Sequence, residues 1–155
     1  MDIFVTTDFQ QLDGDSVIET LPGDIALIRA ATVAPYKKWR VQDTDGSLMA
    51  TFIKLRMDAI VSRVDSMLED AAHHLRYDNM ASVRSYAGYV NAYQAEATEL
   101  AVWASDCWKT LEGVETGVRA GTSPIPTVDE AVALLPAAPA SVASIFKAAP
   151  AVKLP

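Results

Sequence analysis

The rhythm of apolar and polar positions along this chain changes near residue 50. Before that point apolar residues come in short pieces. Ile3, Val5 and Thr7 alternate with Phe4 and Thr6, the period of a strand. Asp13-Gly14-Asp15 marks a turn ahead of Val17, Ile18, Glu19 and Thr20. Pro22-Gly23 suits a type II turn, because Pro fixes the first central angle and Gly accepts the positive φ of the second. Residues 25–28 and 39–42 are further strand candidates, and Asp45-Gly46 is the kind of pair that closes a hairpin.

Beyond residue 50 the spacing turns helical. Ile53, Met57, Ile60, Val64, Met67, Ala71 and Leu75 recur at four- and three-residue steps, with Asp58, Arg63, Asp65 and Glu69 between them. That is an amphipathic helix of about 25 residues. Asp78-Asn79 breaks it and can cap a shorter helix through Tyr86, with Gly88 near its end. Tyr93, Ala97, Leu100, Ala104, Cys107, Leu111 and Val114 then repeat the long-helix spacing, flanked by Trp103 and Trp108 and closed by Gly117 and Gly121. Two long helices joined by a compact connector predict an antiparallel hairpin with the short helix across it.

From Thr122 onward Pro and Ala dominate. Thr127, with Asp129 and Glu130 behind it, predicts an N-cap and a short helix that stops before Pro136, and residues 141–149 suggest another. Such a tail has too little apolar bulk for a core of its own, so it needs a surface, either its own body or a neighbour. The expected fold is α+β and mainly helical. A small β-ribbon docking region (residues 1–47) precedes a helical bundle (48–121) and an Ala/Pro-rich tail (122–155).

Composition narrows the function. The 155 residues carry 20 acidic and 13 basic side chains, net −7, and no segment is a basic patch. Nucleic-acid binding and anionic membranes are disfavoured, since both need cations against phosphate. No run reaches the roughly 20 apolar residues of a membrane span, and the first residues lack the basic-then-apolar pattern of a secretory leader. A protein made in the cytoplasm is the expectation. Single Cys107 cannot form an internal disulfide and, on the apolar stripe, reads as a small hydrophobe.

Candidate chemistry is sparse. His73 and His74 are adjacent, so on a helix they point about 100° apart and cannot share one metal. Asp70 and His74 could face one ion, but no third ligand is nominated. Glu69 with His73, and Asp70 with His74, read as helix-face pairs. Residues 43–46 look like a calcium-loop fragment, yet Phe52 stands where that loop needs Glu, so a hairpin turn is the better account. There is no Gly-x-Ser-x-Gly elbow and no Gly-rich phosphate loop. The expectation is no enzyme, no metal and no cofactor. Aromatic side chains near helix ends are common interface anchors. Trp39, Tyr77, Tyr86, Trp103, Trp108 and Phe146 are therefore the candidate partner-binding residues.

The order of features from residue 60 to 136 resembles small proteins encoded among the tail, baseplate and tail-fibre genes of tailed bacteriophages. It comprises Arg76-Tyr77-Asp78-Asn79 after a long helix, Ser85-Tyr86-Ala87, and Tyr93-Gln94-Ala95-Glu96-Ala97. Trp103 and Trp108 come next, then Pro126-Thr127 through Glu130 and Leu135-Pro136. Arg76 stands where the pattern has Gly, and Ala104 where it has Arg. The resemblance implies a structural virion protein of a tail or baseplate, joining or attaching tail-fibre components. It would be present in several copies around the tail, with other tail or fibre proteins as partners and its tail segment across another subunit. A tail-fibre assembly chaperone absent from the mature particle is the alternative.

Overall fold

A computed structural model describes residues 1–146, and the end of the 141–149 helix expectation lies outside them. The chain divides into two compact units, Met1–Arg56 and the remainder from Met57. Strands β1 (Asp2–Thr6), β2 (Ser16–Leu21), β3 (Ile25–Arg29) and β4 (Arg40–Val41) precede helices α1 (Ser47–His74), α2 (Met80–Ala87), α3 (Gln94–Arg119) and α4 (Val128–Ala133). The protein is thus α+β and mainly helical, as the two rhythms predict.

In the first unit the four strands form one antiparallel sheet in the order β2-β3-β1-β4. Residues opposite one another share a face. Ile3 opposite Ile28 and Val5 opposite Ala26 therefore build one buried layer, completed by Ala30 and Tyr36, with Phe9, Val33 and Trp39 packed against it. Phe4, Leu27, Glu19 and Val41 lie on the other face. The first turns of α1 cover that face: Arg56 reaches the Glu19 carboxylate at 3.3 Å, with its guanidinium over the Phe52 ring. The β2–β3 turn holds Gly23 at φ 84°, as Pro22-Gly23 predicts.

Residues 43–46 are a correction. Among the described residues no strand comes after Gly46, so there is no hairpin for Asp45-Gly46 to close. Instead, Asp45 accepts the Ser47 N–H, and Asp43 accepts the N–H groups of Leu48 and Met49, each at 3.0 Å. The helical period beyond residue 47 decides this, because a new helix leaves its first N–H groups without backbone partners and these carboxylates supply them.

In the second unit α1 and α3 present the predicted stripes. Met57, Ile60, Val64, Met67 and Ala71 are buried on one, and Ala97, Leu100, Ala104, Cys107 and Leu111 on the other. Tyr77, just past α1, bonds Glu96 in the first turn of α3. Farther along, Phe146 lies against Trp103 and also lines a cleft with Arg63, Met67 and Asp70 of α1. Both sets lie a few turns from the Tyr77–Glu96 junction, so the two helices run antiparallel. Asn79 caps α2 by accepting the Ser82 N–H at 2.8 Å. Thr127 and Glu130 form a reciprocal capping box at the start of α4.

The described part of the Ala/Pro segment packs on its own helices, one of the two surfaces expected for it. Trp103 Nε1–H donates to the Pro136 carbonyl at 3.1 Å, and the Phe146 ring sits 5.7 Å from the Trp103 ring. Val142 is fully buried. The physical reason is the indole, a wide apolar surface whose N–H must find an acceptor once buried.

Candidate functional site

The candidate site is the corner where α1 turns into α2 and α3. Its geometry starts at the last turn of α1. The Tyr77 N–H bonds the Ala72 carbonyl at 3.0 Å and the Arg76 N–H bonds the His73 carbonyl at 2.9 Å, the two bonds of a Schellman cap. Arg76 takes the left-handed conformation such a cap needs, at φ 68°. The chain is thereby reversed within residues 75–79, and Tyr77 is driven inward.

Tyr77 is buried, and its hydroxyl donates to Glu96 Oε1 at 3.1 Å. Burial, reinforced by the Glu96 carboxylate, pushes the phenol up to about 12. Around it stand three exposed tyrosines. Tyr86 is the hub, with its ring 5.6 Å from Tyr77, 5.9 Å from Tyr89 and 6.1 Å from Tyr93, the last at 88°. Edge-to-face packing of this kind adds about 0.5–1.5 kcal/mol per pair beyond area burial. Asn91 holds the connecting loop, donating to the carbonyls of Tyr86 and Tyr89 and accepting the Tyr93 N–H. A cleft of about 560 Å³ opens here, lined by His74, Arg76, Asp78, Ser82, Tyr86, Tyr93 and Glu96 among others. Tyr86, Tyr89, Val90 and Tyr93 remain 37%, 51%, 91% and 60% exposed. Four large apolar side chains within eight consecutive residues thus meet solvent, and two of them, Tyr86 and Tyr93, line the cleft.

The structure sorts the six sequence candidates into groups. Tyr77 and Tyr86 meet at the corner. Trp103 and Phe146 meet beneath the Ala/Pro segment, where Trp103 is buried and Phe146 half-buried. Trp108 is half-buried on α3 and, among the described residues, joins neither ring group. Trp39 belongs to the first unit, half-buried against its core with Lys38 Nζ 5.4 Å from its ring. Sequence reasoning left Arg76, Tyr89, Val90, Tyr93 and Glu96 out of the candidate set. The recurrence of tyrosine at 86, 89 and 93 was the available signal.

The histidines do not make the helix-face pairs expected of them. His73 Nε2 lies 2.9 Å from the Asp78 carbonyl, and Glu69 instead accepts the Met80 N–H at 3.0 Å. The first turn of α2 competes for that carboxylate and wins, because its N–H groups have no partners within the helix. Among the described residues no three His, Cys, Asp or Glu side chains converge as a metal site requires, and no helix is long and apolar enough to cross a membrane.

A second polar cluster lies in the first unit. Buried Asp15 accepts the Tyr36 hydroxyl at 2.5 Å and the Ala31 N–H at 2.9 Å, while Tyr36 Oη accepts the Leu12 N–H. The Tyr36 hydrogen bond, then that from Ala31, holds the Asp15 carboxyl below its ordinary value. Burial, then the Asp15 bond, raises Tyr36. Every partner is internal and ties the 7–15 loop to the 30–39 segment, so this cluster is structural.

In comparison with known proteins, no family model matches the chain, no curated protein matches its sequence and no solved structure matches its fold.

Proposed function

We propose that this protein is a non-enzymatic structural component of a bacteriophage tail or baseplate, docking on a neighbouring tail or fibre protein through its tyrosine corner. The observation that carries this reading is the exposed set Tyr86, Tyr89, Val90 and Tyr93, of which Tyr86 and Tyr93 line the cleft. Tyrosines supply large, rigid contact area at low entropic cost and dominate many protein interfaces. Here Tyr86, which the rings of Tyr89 and Tyr93 meet, packs on buried Tyr77, whose hydroxyl bonds Glu96.

The phage assignment is supported by where the resembling motifs fall. Arg76-Tyr77-Asp78-Asn79, Ser85-Tyr86-Ala87 and the stretch from Tyr93 to Ala97 supply most of the corner. Quantitative mass spectrometry of purified particles tests the reading. A structural component is present at a fixed ratio to other tail proteins. Absence from particles, with co-purification of a fibre subunit, is what the assembly chaperone predicts and retires the structural role.

A further inference from the structure

Two helices of this protein end in the same cap. At the end of α3 the Thr122 N–H bonds the Gly117 carbonyl and the Gly121 N–H bonds the Val118 carbonyl, both at 3.0 Å, with Gly121 at φ 70°. At the end of α1 the same two bonds are made around Arg76 at φ 68°. The backbone asks for glycine at both places, since a Cβ crowds the carbonyl in the left-handed region. Only α3 has it. Strain of this kind concentrates at binding sites, and an observed outlier is the proper starting point for asking why.

What Arg76 places there is a guanidinium lining the aromatic cleft. Among the described residues it makes no ion pair or side-chain hydrogen bond, although Asp78 and Glu96 line the same cleft. Glu96 is engaged by the Tyr77 hydroxyl. His74, Ser82 and the rings of Tyr86 and Tyr93 line the same cleft. A planar fork of N–H donors in a cleft that also presents aromatic rings matches a carboxylate attached to an apolar body. The two acidic side chains of the cleft disfavour a second negative group.

We infer that the corner takes a segment of a partner protein presenting a single carboxylate beside an apolar side chain, with Arg76 as its anchor and Tyr86 and Tyr93 as the apolar wall. This rests on the corner being the docking surface. It adds the partner's chemistry and explains why an arginine occupies a glycine position.

The test uses the full chain and two small probes, 3-phenylpropionate and its uncharged amide, titrated while NMR signals of Ser82, Tyr86 and Tyr93 are followed. The acid should shift these signals saturably and bind at least about tenfold tighter than the amide, as charge-assisted bonds require. Arg76→Gly should lose that preference while its melting temperature rises, a combination a merely structural arginine would not give. Equal binding of acid and amide, no saturable shift, or an Arg76→Gly variant that keeps the preference or melts lower overturns the inference. Protection of the corner tyrosines in assembled particles is a separate measurement. Were they protected while the probes show no acid preference, the docking surface would stand and the carboxylate chemistry would fall.

Discussion

The hydroxyl of Tyr77 and the carboxylate of Glu96 are 3.1 Å apart, and their bond closes the corner of the helical unit. Tyr77 lies just past α1 and Glu96 sits in the first turn of α3, so one side-chain pair fixes where the second long helix begins relative to the end of the first. The exposed tyrosines are arranged on that foundation.

The phenols should titrate in separate steps. Tyr77 is raised to about 12 by burial and by Glu96, so in an alkaline absorbance titration its ionisation should come late, and with unfolding. Tyr77→Phe should remove that late step and cost about 1 kcal/mol for the lost hydrogen bond. A variant as stable as the wild type would show that the bond contributes nothing.

Acid should loosen the first unit through Asp15. Its folded carboxyl is held below the ordinary 3.8. Its contribution is therefore fully present above that value and is lost as pH falls through the lowered folded value. Thermal melts from pH 6 down to pH 2 should show Asp15→Asn less stable than the wild type at the upper end, with the gap shrinking toward the lower. Tyr36 has the opposite sense. Its raised folded value means that its contribution is intact below 10.0 and lost as pH rises beyond it. A pH-independent gap for Asp15→Asn would contradict this account.

Cys107 should be inert in the native protein. It is fully buried on the α3 stripe, and burial pushes its thiol up to about 11. Reaction with a thiol reagent at pH 8 should be slow in buffer and fast in guanidinium, since the thiolate is the reacting form. Comparable rates would place the sulfur at the surface.

Trp103 should tether the Ala/Pro segment. Its indole N–H bonds the Pro136 carbonyl and its ring meets Phe146. Trp103→Phe keeps most of the apolar contact and loses the bond, at about 1 kcal/mol. Trp103→Ala should cost about 3–5 kcal/mol and expose residues 134–146 to limited proteolysis. Unchanged cleavage in the Ala variant would show that this segment is held by something else.

Where local patterns decide the structure, it was legible in the sequence. The four strands, both long helices, the Asn79 cap and the Thr127 capping box arise from periodicity and from side chains that satisfy backbone groups within a few residues. Asp43 and Asp45 show where such reading slips. The same Asp-Gly chemistry serves a hairpin or a helix start, and the helical period of the residues after Gly46 selects the helix. Asp15 with Tyr36, 21 residues apart, and Trp103 with Pro136, 33 apart, have no local signature at all. The corner was half visible. Tyr77 and Tyr86 stood out as aromatic residues near helix ends. The role of Arg76 needed the backbone angle, and that of Glu96 needed the return of α3.

The most direct test of the docking surface is hydroxyl-radical footprinting of the tyrosines, comparing the free chain with purified tail particles by mass spectrometry. Tyr86, Tyr89 and Tyr93 should be oxidised readily in the free chain and strongly protected in the particle, with buried Tyr36 low in both. Equal oxidation of the three corner tyrosines in both states would contradict the docking role.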